Sequence, residues 1–348
     1  MTARPTRPAS LGGLAALLAA TLVSAVPAAA AEVVNVYTTR EPGLIKPLFD
    51  AFTKKTGIEV KPIFVNAGLT ERVAAEGAKS PADILMTVDY GNLLDLVEKG
   101  QTQPIKSAVL EEAIPVNLRD PNGHWFTLSM RARVIYVSKD RVKDETLTYE
   151  DLADPKWKGK ICIRSGQHPY NTSLVAAAIA KDGPEKAAEW LKGVKENLAR
   201  KAAGGDRDGA RDILAGICDV AVGNSYYVGL MRGGKGGEEQ KRWGEAIRVI
   251  LPTFADKKGT HVNVSGAAIA KNAPNKDNAV KLMEFLVSDE AQDVYAKSNY
   301  EYPVKKGAPI DPIIASFGEL TVDPLPLQQL TAHRKEASQL VDKVGFDN

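Results

Sequence analysis

Two adjacent tyrosines, Tyr226 and Tyr227, stand directly after the apolar run 217–222 and the turn residues Gly223, Asn224 and Ser225. A short apolar run closed by Gly and polar residues reads as a buried strand feeding a turn, and Asn224 or Ser225 is suited to cap a helix over 226–231. Both phenols then lie in the first turn of a helix at the carboxyl end of a strand, where open α/β sheets bind ligands. A helix N-terminus favours negative charge, so a phenol there, with an ordinary pKa of about 10, ionises more readily beside a cation. Tyr170 repeats the context, following the turn 165–169 and preceding a helix. Three phenols brought to one point are hard anionic oxygen donors, and a trivalent hard cation such as Fe3+ can hold them deprotonated near neutral pH. Taken alone, a tyrosine pair is equally one core ring and one surface ring, so the rest of the chain must decide.

Other chemistries lack their residues. There is no Gly-x-Ser-x-Gly, His-Glu-x-x-His, Cys-x-x-Cys or dinucleotide fingerprint, and His124, His168, His261 and His333 have no zinc-like spacing. The Gly-rich run 233–237 lacks a phosphate-loop pattern and reads as a surface loop.

The N-terminus carries an address. Arg4 and Arg7 precede an apolar stretch over 11–26 and the small residues Ala29, Ala30 and Ala31, the pattern of a cleaved secretory signal peptide at 1–31. The stretch is too short to span a bilayer, and no lipobox cysteine follows, so a soluble exported chain without membrane insertion is expected. Losing the two arginines takes the formal charge from +2 to zero, which argues against nucleic acid or an anionic membrane as partner. In an oxidising compartment Cys162 and Cys218, each in an apolar strand-like run, are expected to form a structural disulfide.

The elements that position these residues alternate between strands and helices. Strands are expected at 33–37, 59–65 and 82–88, with helices from Pro42 to the stop at Gly57, over 70–76 and over 93–98. A second set follows: strands at 131–137, 161–164, 248–251 and 262–270, and helices at 172–180, 185–198, 206–214, 277–287 and 290–297. This alternation predicts an α/β fold with mainly parallel sheets flanked by helices, and the length predicts two lobes.

Read in order, the motifs resemble one family throughout the mature chain. They run Val36-Tyr37-Thr38-Thr39-Arg40, Thr56-Gly57-Ile58, Ser80-Pro81-Ala82-Asp83-Ile84, Thr87-Val88-Asp89, Trp125-Phe126 and Arg131-Ala132-Arg133-Val134. They continue with Asp151-Leu152-Ala153-Asp154-Pro155, Trp157-Lys158-Gly159, Tyr170-Asn171, Asn224-Ser225-Tyr226-Tyr227, Gly266-Ala267 and Glu301-Tyr302-Pro303-Val304. The sequence resembles the periplasmic ferric-ion-binding proteins of ABC transporters, which are type II, transferrin-like solute-binding proteins.

The resemblance implies a two-lobed type II periplasmic binding protein with crossover strands and iron in the interlobe cleft. The segments expected from it are 32–131 and 257–307 in the N-lobe, 132–256 in the C-lobe, and C-terminal helices over 308–348 packed on the C-lobe. It implies Tyr170, Tyr226 and Tyr227 as ligands of Fe3+. Arg131 or Arg133 would hold a synergistic anion such as carbonate, and an inner-membrane ABC permease would receive the cargo from a periplasmic monomer with no catalytic activity. One departure stands out. Many relatives place His-Tyr or a lone His directly after the segment matching 37–40, where this chain has Glu41 and Pro42. Either three tyrosines suffice with an exogenous anion or water, or another residue, Tyr90 or Glu41, reaches the metal or its anion. The same fold binding a small anionic or organic solute (a phosphonate, thiamine or a polyamine) is the alternative cargo, and a metal-dependent exported enzyme is the alternative class.

Overall fold

The computed structural model describes residues 1–3 and 32–348; the expected export segment, beyond its first three residues, and its cleavage site lie outside them. Among the described residues the strands are β1 Val33–Thr38, β2 Glu59–Phe64, β3 Ile84–Thr87, β4 Thr102–Gln103, β5 Phe126–Ser138, β6 Ile161–Cys162, β7 Val220–Asn224, β8 Ile247–Ile250, β9 Val262–Ala270 and β10 Tyr302–Pro303. The helices of the first half are α1 Pro42–Thr56, α2 Leu69–Glu76, α3 Tyr90–Glu98 and α4 Ala108–Ala113. Those of the middle are α5 Pro169–Asp182, α6 Pro184–Glu196, α7 Asp206–Leu214, α8 Ser225–Arg232 and α9 Gly237–Ala246. The last are α10 Lys276–Leu286, α11 Asp289–Asn299, α12 Pro312–Ala315, α13 Leu327–Ala332 and α14 Arg334–Val344.

The strand order β2-β1-β3-β9-β5-β7-β6 joins everything through β5. Its first part, Phe126 to Ala132, pairs with β9, and from Arg133 onward it pairs with β7, then with β8 as well. The ladder partner of β5 thus changes between Ala132 and Arg133. All thirteen residues of this strand are buried, because it is covered on both sides along its whole length. The ladders are mixed rather than mainly parallel. Pairing is parallel in β2-β1-β3 and in β6-β7, and antiparallel wherever β9 and β5 enter. The return of the chain through β9 requires that reversal.

Local rules explain the first helix. Pro42 opens α1, where its missing N–H is no loss, and Ile45, Leu48, Phe49 and Phe52 line its buried face. Gly57 closes it in the left-handed region, at φ 76°, which a side chain would resist. Helix α3 begins three residues earlier than its apolar spacing indicates. The Asp89 carboxylate accepts from the N–H of Gly91 at 2.9 Å and of Asn92 at 3.2 Å, which caps the helix early and puts Tyr90 in its first turn. The end of the Gly-rich run, expected as loop, starts α9, whose first turn carries Glu238 and Glu239.

The disulfide joins Cys162 on β6 to Cys218 just before β7, with a Cα–Cα distance of 5.9 Å across 56 residues. Closing a loop of that length stabilises by about 4 kcal/mol in the chain-entropy model. Helix α14 packs on α5 and α6, and α13 on both α5 and α3. No helix among the described residues is long and apolar enough to cross a membrane.

Candidate metal centre

Tyr170 lies in the first turn of α5, and Tyr226 and Tyr227 in the first turn of α8. Strand β7, buried at every position, delivers the pair to the carboxyl edge of its sheet. The Tyr226 and Tyr227 rings are 4.1 Å apart between centroids. Burial raises the Tyr226 phenol well above its ordinary value, with Tyr170 and Tyr227 adding to the effect and Arg131 opposing it. Tyr227 is raised by burial and by Tyr170, with Asp206 pushing the same way and Arg164 against it. Tyr170 thus lies close enough to oppose the ionisation of both Tyr226 and Tyr227. A cation placed among them reverses that balance, since it favours every phenolate at once.

Arginines surround the cluster. The Arg164 guanidinium lies 5.2 Å and that of Arg133 5.8 Å from the Tyr170 ring centre, and Arg207 lies 5.1 Å from that of Tyr227. Beneath them Asp206 binds the arrangement together. It accepts from Arg133 at 2.6 Å, from Arg164 at 3.2 Å and from the Asn224 N–H at 2.8 Å. Arg133 also donates to the side-chain oxygens of Asn171 at 2.6 Å and Asn224 at 3.1 Å. Both terminal nitrogens of Arg133 are therefore committed within its own lobe. The Asn224 side chain serves Arg133 and caps no helical N–H, so neither Asn224 nor Ser225 caps α8 with its side chain. Instead the Ser225 hydroxyl accepts from the Ala132 N–H on β5 at 3.2 Å.

Arg131 is placed differently. One terminal nitrogen donates to the Val88 carbonyl at the end of β3, its Nε has no partner, and its charge acts on Tyr226 and Glu301. Val88 also lines a polar cavity of about 470 Å³ with Thr39, Asn66, Thr70 and Thr87, at the carboxyl ends of β1 and β3. Near it Arg40 donates to the buried Glu301 carboxylate at 2.8 Å.

The remaining sequence candidates have other surroundings. The Tyr90 ring is buried, and its phenol neighbours Ser173, Asp89 and Arg334. Glu41 stands exposed at the start of α1. His168 accepts the Tyr170 N–H at 3.2 Å through Nδ1 and meets the Tyr170 ring edge-on at 4.5 Å. Burial, reinforced by Arg164, lowers His168 to about 4, so this histidine is neutral near pH 7. Sequence reading missed Asp206, Arg164 and Arg207, whose only local signals were a helix start and a strand end. Among the described residues no group of three His, Cys, Asp or Glu side chains is disposed to hold a metal.

A mixed sheet flanked by helices, with a polar cavity at the carboxyl ends of β1 and β3, is the fold of a type II periplasmic binding protein. The chain belongs to the bacterial extracellular solute-binding proteins, whose family model matches residues 37–293. It is 42% identical over 341 residues to iron uptake protein A2 of Synechocystis, covering 97% of this chain and 96% of that one. Among solved structures it is similar to the Bordetella ferric binding protein, with 62% identity and a TM-score of 0.88 over 91% of this chain and all of the other. It is also similar to a Trichodesmium protein solved in complex with iron and citrate ligands, with 42% identity and a TM-score of 0.86 over 90% and 99% of the two chains. These relatives are solute-binding proteins, not enzymes.

Proposed function

We propose that this protein is an extracytoplasmic receptor for ferric iron, with Tyr170, Tyr226 and Tyr227 as the protein ligands of the cargo. The observation that carries this reading is the meeting of three phenols at the starts of two helices, with Tyr226 and Tyr227 destabilised as lone anions and a shared cation able to stabilise all three as phenolates. The names of the relatives support the same cargo. Three phenolates neutralise Fe3+, and a synergistic anion, carbonate or a small carboxylate, completes the coordination shell.

Arg131 is the arginine we assign to that anion. Arg133 is committed to Asp206, Asn171 and Asn224 and acts as the brace beneath the tyrosines. Glu41 is the exposed carboxylate available from the other lobe in place of the relatives' histidine or tyrosine. The lobes close over the cation by hinge motion at the crossover strands, an inner-membrane ABC permease takes up the closed form, and the receptor works as a periplasmic monomer. Protonation of the anion or of a phenolate weakens binding and allows release.

The test is a visible titration of iron-free protein with ferric citrate, beside the Tyr226→Phe/Tyr227→Phe double variant. A tyrosinate-to-iron charge-transfer band saturating at one iron per chain, and lost in the variant, is the expected result. Absence of the band in the wild type moves the cargo to a small organic or anionic solute.

A further inference from the structure

The turn that leads into Tyr170 is docked on a segment far from it in sequence. Gly345 ends α14 in the left-handed region, at φ 62°, and turns the chain back, with Phe346 buried behind it. Asp347 then accepts from the Ser165 hydroxyl at 2.6 Å, the Gly166 N–H at 2.7 Å and the Gln167 N–H at 3.2 Å. The Gln167 side chain lies along α14. It donates to the Ser338 carbonyl at 2.9 Å and to Asp342 Oδ1 at 2.8 Å, and it accepts from the Ser338 hydroxyl at 2.7 Å. Gly166 approaches so closely that an added Cβ would stand 2.8 Å from the Phe346 ring and 2.8 Å from Val341.

This turn runs straight into the first turn of α5. The His168 N–H donates to the Ser165 carbonyl at 3.1 Å, and the His168 carbonyl accepts from the N–H groups of Asn171 and Thr172 at 2.8 and 3.0 Å. On the inner side Asn171 Nδ2 donates to the carbonyls of Arg164 and Ser165, both at 3.0 Å, while its oxygen accepts from Arg133. Residues 164–167 are therefore held between the Arg133 network on one side and the Asp347 carboxylate on the other. Hydrogen bonds to a carboxylate are about twice as strong as neutral ones, and groups that fix a ligand's backbone set its aim. Tyr170 is carried by α5, whereas Tyr226 and Tyr227 are carried by α8. The turn at 165–167 thus bears on one phenol of the three.

We infer that Asp347 is a positioning residue that fixes the direction of Tyr170 and, through it, the strength with which iron is held. The second half of the inference rests on the iron reading; the first half does not.

Asp347→Asn keeps the size of the side chain and replaces one acceptor oxygen with an amide donor facing the donors of the turn. Competition with citrate, followed at the tyrosinate band, is expected to show iron bound about tenfold more weakly. Tenfold corresponds to about 1.4 kcal/mol, near the lower end for one hydrogen bond to a charged group. In a Tyr170→Phe background the same substitution is expected to change the affinity by less than about twofold, because its route to the metal is gone. Unchanged affinity in Asp347→Asn overturns the inference. So does a loss of equal size in the Tyr170→Phe background, since Asp347 then acts through the fold at large. A wild type with no band sinks the iron reading instead, and amide hydrogen exchange of the iron-free protein then decides alone. Asp347→Asn is expected to speed exchange at Tyr170, Asn171 and Thr172 as well as at Gly166 and Gln167; faster exchange confined to Gly166 and Gln167 overturns the inference. If Asp347→Asn does not fold, Gly166→Ala, which pushes the same turn away from Phe346 and Val341, is read in the same three ways.

Discussion

Replacing Asp206 with Asn should lower the stability of the protein and, at the same time, let iron bind at lower pH. The carboxylate is fully buried and is shared by Arg133, Arg164 and the Asn224 N–H, at 2.6, 3.2 and 2.8 Å. Removing one partner of a buried ion pair typically costs about 3–5 kcal/mol. Asn keeps one acceptor oxygen for these donors, so the expected loss is about 2–4 kcal/mol, read as a lower urea midpoint of the iron-free protein. The second effect has the opposite sense. Asp206 pushes the Tyr227 phenol upward while Arg164 opposes it. Without the carboxylate charge, Arg133, Arg164 and Arg207 act on the phenols with less compensation. A charge interaction of about 1–2 kcal/mol, ordinary for a partly buried pair, is worth about one pH unit. The pH midpoint for appearance of the tyrosinate–iron band in Asp206→Asn should therefore fall by about one unit. A midpoint that stays or rises while stability drops would refute the claim that Asp206 sets the electrostatics of the site. Unchanged stability would refute its role in binding the arrangement together.

Two further outcomes follow from the packing. Gly223→Ala would place a Cβ 2.4 Å from the Tyr136 ring, whose hydroxyl donates to the Asn224 carbonyl at 2.5 Å. The expected loss is about 1–3 kcal/mol, with a weaker charge-transfer band because the end of β7 aims Tyr226 and Tyr227; thermal unfolding and the iron titration check both. Burial, reinforced by Arg133 and Lys181, lowers His261 to about 3, from an ordinary 6.5. The unfolded chain then takes up its proton first, so stability present above pH 6.5 drains away toward pH 3, at up to about 1.4 kcal/mol per pH unit. His261→Gln should flatten the dependence of the urea midpoint on pH between 7 and 4, and an unchanged slope would reassign the acid lability to other groups.

The three tyrosines were legible because their signal is local: a buried strand or turn, a polar residue, then the start of a helix. The helix over Asp206–Leu214 and the strand over Val262–Ala270 were readable for the same reason. What binds the tyrosines together was not, because Asp206 reaches Arg133 across 73 residues, and a surface helix cap and a buried counter-charge look alike in sequence. Arg131 and Arg133 were inseparable on paper, although the first faces Val88 and the second is enclosed by Asn171, Asp206 and Asn224. The start of α3 was read three residues late, because a single capping carboxylate outweighed the apolar spacing. The mixed ladders also escaped, since a crossover strand reads like any other buried strand.

The division of β5 between two sets of ladder partners also orders assembly in time. Strand β5 meets β7 and β8, and β6 meets β7, so every strand of the tyrosine-bearing half has been made by Ile250. Strand β3 waits for β9, where Ile84 faces Ile269. A chain emerging from its N-terminus can therefore complete the sheet of the half that holds the tyrosines first, with Cys162 and Cys218 already in register. The half that emerged earliest must hold a half-built sheet open, with β3 as an unpaired edge, until the return strand arrives. The vulnerable moment of its biogenesis lies in the first half of the chain, and a stall before residue 262 leaves that edge exposed.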